Sequence, residues 1–160
     1  DFLLGEKFSR ASWMKILDDP TLLEMHGNRV LLTHGDQLCT DDVKYQKFRA
    51  RVRGRGLQRI FLALPRVVRR VVFQSVRHRS ESEKFAKSET IMDVNADAVI
   101  ALIRQFHHPD LLIHGHTHRP AAHEITDEGK HTVRHVLADW YETGSYLRLT
   151  DAGCEALSIA

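Results

Sequence analysis

The run Leu111-Leu112-Ile113-His114-Gly115-His116-Thr117-His118-Arg119-Pro120 constrains this chain more than any other stretch. Three apolar residues lead into three alternating histidines, and a proline ends the pattern. A buried strand that delivers imidazoles into a cleft has this form. On a strand, side chains two apart share a face, so His116 and His118 are expected to converge. Neutral imidazole suits zinc, manganese, iron and cobalt. Val30-Leu31-Leu32-Thr33-His34 is a second such run, and the Gly35 behind it allows a close approach. A lone histidine at a strand end is more often a hydrogen-bonded structural group. The Gly-His-Thr-His pair is stronger, because strand, spacing and proline stop agree. Two strands are therefore expected to carry His34, His116 and His118 to one site, at the strand ends where α/β sheets place their ligands. His114 shares their parity but lies deeper, and is expected to be core or to orient a ligand.

The remainder has to supply a fold for that site. Its 160 residues, 42% hydrophobic and 28% charged, suit an ordinary domain with its own core and exclude disorder. No apolar run approaches the roughly 20 residues of a membrane-spanning helix. Cys39 and Cys154 are too few for a disulfide framework and lack metal-site spacing, so reduced cytoplasmic thiols are expected. Charge is unevenly placed. Between Lys44 and Lys87 stand 14 of the 23 Lys and Arg, against only Glu81 and Glu83. That segment is expected to meet an anionic surface: a phosphate, a membrane face or a nucleic acid.

In order, Phe8, Trp13, Ile16 and Leu17 have helical spacing, and Asp18-Asp19-Pro20 breaks it. Thr21–His26 and Arg29–Thr33 read as strands around a Gly27-Asn28 turn. Thr40 or Asp41 is a plausible N-cap for a helix through about Arg53. Leu57, Ile60, Phe61, Leu64, Val68, Val71 and Val72 share a helical face, with Pro65 predicting a kink or two short helices. Arg77 to Glu89 reads as a loop or helix end, and Thr90 to Phe106 as an amphipathic helix. After Pro120 come strands over about 122–126, 132–138 and 145–149, the first two joined by the turn Asp127-Glu128-Gly129-Lys130. Residues 153–159 add a last strand. The order is mixed α/β.

Asp36, Asp41, Asp42 and Asp139 lie near the histidines in motif terms. A two-metal phosphoryl-transfer site uses mixed histidine and carboxylate ligands. Yet no Asp-x-His pair occurs anywhere in the chain, so half of such a site is missing from it.

His34-Gly35-Asp36 and Gly115-His116-Thr117-His118 resemble the last two metal motifs of the calcineurin-like binuclear metallophosphoesterases. Four further blocks narrow the likeness: Leu38-Cys39-Thr40-Asp41-Asp42, Phe61-Leu62-Ala63-Leu64-Pro65, Ile91-Met92-Asp93-Val94-Asn95 and His114 to Pro120. Together they resemble the branch of that family that cleaves the pyrophosphate of UDP-2,3-diacylglucosamine in lipid A biosynthesis. The resemblance implies the carboxyl-terminal part of a metallophosphoesterase β-sandwich flanked by helices, a partial domain over residues 1–160 with a helical lid at about 57–89. It implies His34, His116 and His118 as metal ligands, with His116 also beside the substrate phosphate. It implies Asp42, Ser80, Lys84 and Lys87 as substrate contacts; at Lys84 the family often has Asn. It implies two Mn²⁺ ions, a UDP-diacylglucosamine lipid substrate, and a cytoplasmic location, peripheral on the inner-membrane face. The opening Asp1-Phe2-Leu3-Leu4-Gly5 resembles what directly follows the family's Gly-Asn-Arg motif. The earlier metal motifs are therefore expected on an amino-terminal segment outside this sequence, and this chain alone is expected to be nearly inactive. His26-Gly27-Asn28-Arg29 imitates the missing motif but precedes a strand, and is expected to be a turn.

Two rivals share features. A metallophosphoesterase for a soluble nucleotide or nucleic acid would keep the histidines but not need the apolar face at Leu57, Ile60, Phe61, Leu64 and Val68. A non-catalytic basic module for nucleic acid would explain the 44–87 charge. The aromatic residues there show no stacking motif, so no nucleic-acid partner is expected. A metallo-β-lactamase-type site is excluded by Arg119-Pro120, which stands where an Asp-His continuation is needed.

Overall fold

The computed structural model describes residues 4–85, 93–141 and 143–159. The chain divides into two compact units: Asp1–Ile16 with Asp41–Asp93, and Leu17–Thr40 with Val94–Ala160.

The second unit carries the sheet. Strands β1 (Thr21–Met25) and β2 (Asn28–Thr33) form a hairpin; β3 (Leu111–His114), β4 (Ala121–Asp127) and β5 (Lys130–Val136) complete five strands in the order β1-β2-β3-β5-β4. β3 runs parallel to both its neighbours, β2 and β5. The apolar residues before each histidine explain this centre: Val30, Leu31 and Leu112 are at most 1% exposed, as buried parallel strands require. Helix α5 (Ala96–Gln105) follows the described part of the connection from β2 to β3. Asn95 caps it by accepting from the Ala98 amide at 3.1 Å. Its Val99, Leu102 and Ile103 fall on one face and join Leu31, Leu38 and Leu112 in a single core. Each such side chain contributes roughly 1.5–3 kcal/mol. Arg29 then satisfies the carboxyl end of α5, donating to the carbonyls of Phe106 and His107 at 2.7 and 2.9 Å. Strands β6 (Gly144–Thr150) and β7 (Gly153–Ile159) pair as a separate hairpin.

The first unit is helical. Besides α1 (Glu6–Ser12), it has α2 (Val43–Val52), α3 (Arg55–Ala63) and α4 (Arg66–Phe85). Pro65 separates the last two, and Leu64 before it is extended at ψ 148°, as the ring of a following proline demands. The two-helix expectation therefore holds, but the second helix is longer than the sequence suggested. Of the loop or helix end expected from Arg77, the helix end holds: α4 continues as far as Phe85, because no glycine or proline interrupts it and Arg, Gln, Glu and Lys are good helix formers. The helix expected from Thr90 starts only at Ala96, where Asn95 intercepts the first turn; residues 86–92 lie outside the described set. Leu57, Ile60, Val67 and Val71 are 49–76% exposed, so these helices display apolar surface.

Candidate metal centre

β2 and β3 end side by side, with Thr33 opposite His114. Beyond them the two segments stay joined, the Gly115 amide donating to the His34 carbonyl at 3.2 Å, and on the other side of β3 the Leu137 amide, just past β5, donates to the His114 carbonyl at 2.8 Å. Asp19 fastens the other side of the β2 end. Its Oδ1 accepts from the Thr33 hydroxyl at 2.7 Å and from the His34 amide at 3.1 Å. Sequence reading gave Asp19 no role beyond a helix breaker; the contact spans 14–15 residues, and only the fold reveals it.

His114 is fully buried. Arg134 Nη1 lies 3.0 Å from its Nε2, and its Nδ1 lies 3.0 Å from the Gly115 carbonyl. Guanidinium only donates, so Nε2 carries the lone pair and Nδ1–H donates to the carbonyl. The ring thus organises the junction, as expected of a core histidine. It also explains Gly35. A Cβ there would lie 2.8 Å from His114 Nδ1 and 3.2 Å from the Gly115 carbonyl oxygen, at a φ of +99°. Only glycine meets both conditions without strain.

The strand-parity argument for His116 and His118 does not hold. β3 stops at His114, and both residues are left-handed, with φ of 67° and 53°. Each such residue costs of order 1 kcal/mol or more, a strain typical of functional turns. The turn nevertheless brings His116 to His34: their ring centres are 5.1 Å apart with planes inclined at 63°. A metal–nitrogen bond of about 2.1 Å puts an ion a little over 3 Å from a ring centre, so this pair has the reach and the donor type for a divalent ion. His118 Nδ1 is 3.7 Å from Asp139 Oδ2, and its ring centre is 6.4 Å from that of Tyr141. At 3.7 Å the first contact is an ion pair at most, not a hydrogen bond. The three histidines do not bring their donor atoms within 4.8 Å of one another as one set.

Asp42 belongs to the helical unit, where it caps α2 by accepting from the Tyr45 amide at 3.0 Å. The cap lies one residue beyond the expected Thr40 or Asp41. Ser80 and Lys84 fall on α4, their side chains outside the described set, and Lys87 lies wholly outside it. Asn28 follows a hairpin turn, where its side chain donates to the His26 carbonyl at 3.0 Å, so the imitation motif is structural.

Among the described residues, three donors do come within 4.8 Å of one another: His108, Asp127 and Glu128. Sequence reading missed this group, because His108 ends a helix and the two acids form a hairpin turn far along the chain. Arg104 already forks onto both Asp127 oxygens at 2.8 and 2.7 Å. Lys130 Nζ stands 3.5 Å from His108 Nδ1. A further cation would meet two resident ones, so this is an ion-pair network. Arg104 and then His108, by hydrogen bonding, hold the Asp127 carboxyl well below the usual carboxylate range.

A mixed α/β sheet that brings imidazoles together just beyond its parallel strands defines the general class, a protein with a histidine-rich site at strand ends. No family model matches the chain. It is 50% identical over 153 residues to a UDP-2,3-diacylglucosamine hydrolase of Aromatoleum aromaticum, covering 96% of this chain and 62% of that protein. Proteins of the same name from Enterobacter sp. strain 638 and Escherichia coli O7:K1 are 44% identical over 159 residues and 47% identical over 150. They cover 99% and 94% of this chain, and 66% and 62% of their own lengths. Over the span it covers, the chain is similar to these hydrolases. It extends over less than two thirds of these relatives' length, consistent with a carboxyl-terminal portion. A zinc complex of Vps29 from Entamoeba histolytica superposes with a TM-score of 0.36 at 14% identity, covering 91% of this chain and 62% of that one; so loose a fit bears on neither fold nor metal.

Proposed function

We propose that the chain is the carboxyl-terminal portion of an enzyme that hydrolyses UDP-2,3-diacylglucosamine to UMP and 2,3-diacylglucosamine 1-phosphate. Water adds to the α-phosphorus, and the bond from that phosphorus to the bridging oxygen breaks. The observation that carries this reading is the His34–His116 pair, 5.1 Å apart, within a chain 44–50% identical to proteins named for that hydrolysis. His34, His116 and His118 would hold the metal, with further ligands from the part of the relatives that this chain does not span. Two divalent ions, Mn²⁺ by family resemblance, would supply charge for the α-phosphate and a water of lowered pKa. His116 would lie beside the phosphate being cleaved, its position set by the left-handed turn after β3. Asp42, Ser80, Lys84 and Lys87 would contact the substrate; a lysine offers a compact positive charge to its anionic groups. In this reading the sheet is part of a metallophosphoesterase β-sandwich, and α3 and α4 form a lid over the acyl chains. No described helix is long and apolar enough to cross a membrane. Attachment to the cytoplasmic face of the inner membrane would rest on the apolar and arginine-bearing surface of the lid.

The test is metal content and hydrolysis of the UDP-lipid by this chain, with and without the amino-terminal segment its relatives possess. Little turnover by the chain alone and full turnover with the segment are expected. Equal turnover by the two would overturn the two-part site.

A further inference from the structure

The helical unit contains a shallow groove of about 390 Å³ lined by Phe61, Leu62, Arg66, Arg69, Arg70 and Phe73. Its volume lies in the range of small-molecule sites. Three guanidiniums share it with two aromatic rings and a leucine, and the sequence places no carboxylate between Val43 and Ser80. Among the described residues, Arg69 Nε is buried and meets no hydrogen-bond partner. A buried charged donor left in that state is expensive, and a bound anion would satisfy it. The lining also bounds the anion's nature. Leu62 and Phe73 are 48% and 58% exposed. Inorganic phosphate would leave these apolar surfaces wet. A phosphate that carries hydrocarbon would cover them.

We infer that the groove is a headgroup site for an anionic bilayer phospholipid. Arg66, Arg69 and Arg70 take the phosphate diester, and Phe61, Leu62 and Phe73 sit among the first methylenes of its chains. Arginine suits this place, since its stem runs along apolar surface while its planar head binds phosphate through two donors. The bound lipid belongs to the membrane and is distinct from the substrate. The inference rests on the membrane reading of α3 and α4 and is independent of the hydrolysis.

The test is co-sedimentation of the 160-residue chain with phosphatidylcholine vesicles, with and without phosphatidylglycerol, at fixed ionic strength. Phosphatidylglycerol should be required. The triple change Arg66→Gln, Arg69→Gln, Arg70→Gln should weaken binding by about a hundredfold, from the usual attraction per basic residue at an anionic surface. A triple change at the carboxyl end of α2 and its cap, Arg49→Gln, Arg51→Gln, Arg53→Gln, removes the same net charge and should weaken it far less. Arg69→Lys keeps the charge but loses the planar fork, so it should still cost several-fold; it also serves if the triple variant loses helicity. Failure of the unaltered chain to bind phosphatidylglycerol vesicles would overturn the membrane reading and this inference together. Vesicle binding that survives both Arg69→Lys and the groove triple change would overturn the groove alone. Inorganic phosphate held without vesicle binding, or a DNA oligonucleotide bound more tightly than vesicles with the same losses, would assign the groove to another anion.

Discussion

The two ends of strand β3 both gather histidines, and they use them differently. At its amino end, His108 is gripped through its ring: Nε2 lies 3.0 Å from Asp127, and Nδ1 faces Lys130 at 3.5 Å. An ammonium only donates, so Nδ1 accepts and Nε2–H donates, and neither nitrogen is left to a metal. At its carboxyl end, His34 is held through its main chain, at its amide by Asp19 and at its carbonyl by Gly115. The rings of His34 and His116 meet there, with centres 5.1 Å apart. A cluster of metal-type residues therefore says little by itself. A histidine whose two ring nitrogens are both held, as those of His108 and His114 are, has none to give a metal.

That contrast is broken most directly by removing one histidine from each end. In a protein of its relatives' full length, His116→Ala should lower the hydrolysis rate at least about 10²-fold, through a lost metal contact. His108→Ala should leave the rate near that of the parent and lower stability instead. Steady-state kinetics with the UDP-lipid, beside denaturant unfolding of the same two variants, reads both. Similar rates would remove the ligand role of His116.

A smaller effect tests how the carboxyl end is built. Gly35→Ala places a methyl group 2.8 Å from His114 Nδ1 and forces a side chain onto a φ of +99°. The expected cost is about 2 kcal/mol or more in urea unfolding, with the His34 main chain displaced from Gly115. An unchanged midpoint would mean that the junction yields and that the Arg134–His114–Gly115 link is not what positions His34.

Much of this was legible because the signals were local. Apolar runs at Val30–Leu32 and Leu111–Ile113 marked the parallel strands, and Asp127 to Lys130 marked its hairpin, whose Glu128 and Gly129 have positive φ. The two strand ends expected to deliver His34 and the later histidines do lie together, and the rings of His34 and His116 meet; the parity expected to align His116 with His118 fails, because both are left-handed and strand parity cannot describe a turn. The end of α4 was legible only as an alternative: the polar, basic run from Arg77 reads as a loop or a helix end, and the helix end holds because nothing in it breaks a helix as far as Phe85. Asp19, Arg134 and the His108 network were illegible. Their partners lie 14 to 23 residues away, and only the sheet order brings them into contact.

The smallest effect concerns the amino end of β3 and separates two acid-sensitive groups by pH. The Asp127 carboxyl is held low, first by its hydrogen bond from Arg104 and then by that with His108. A carboxyl with a depressed native pKa contributes stability above its unfolded value, about 3.9, and loses it as pH falls from there through the native value. His135, on β5, also has a lowered pKa, because burial disfavours its charged form. For that ring the unfolded chain binds the extra proton, so stability falls as pH drops below about 6.5. Asp127→Asn keeps an acceptor for Arg104 but removes the charge. It should flatten the stability curve below about pH 4 and leave the decline beginning near pH 6.5 intact. Urea unfolding midpoints across this range distinguish the two limbs. Loss of both in Asp127→Asn would mean that the network at the amino end extends to His135 on the neighbouring strand, and that the two ends of β3 are less independent than their contacts indicate.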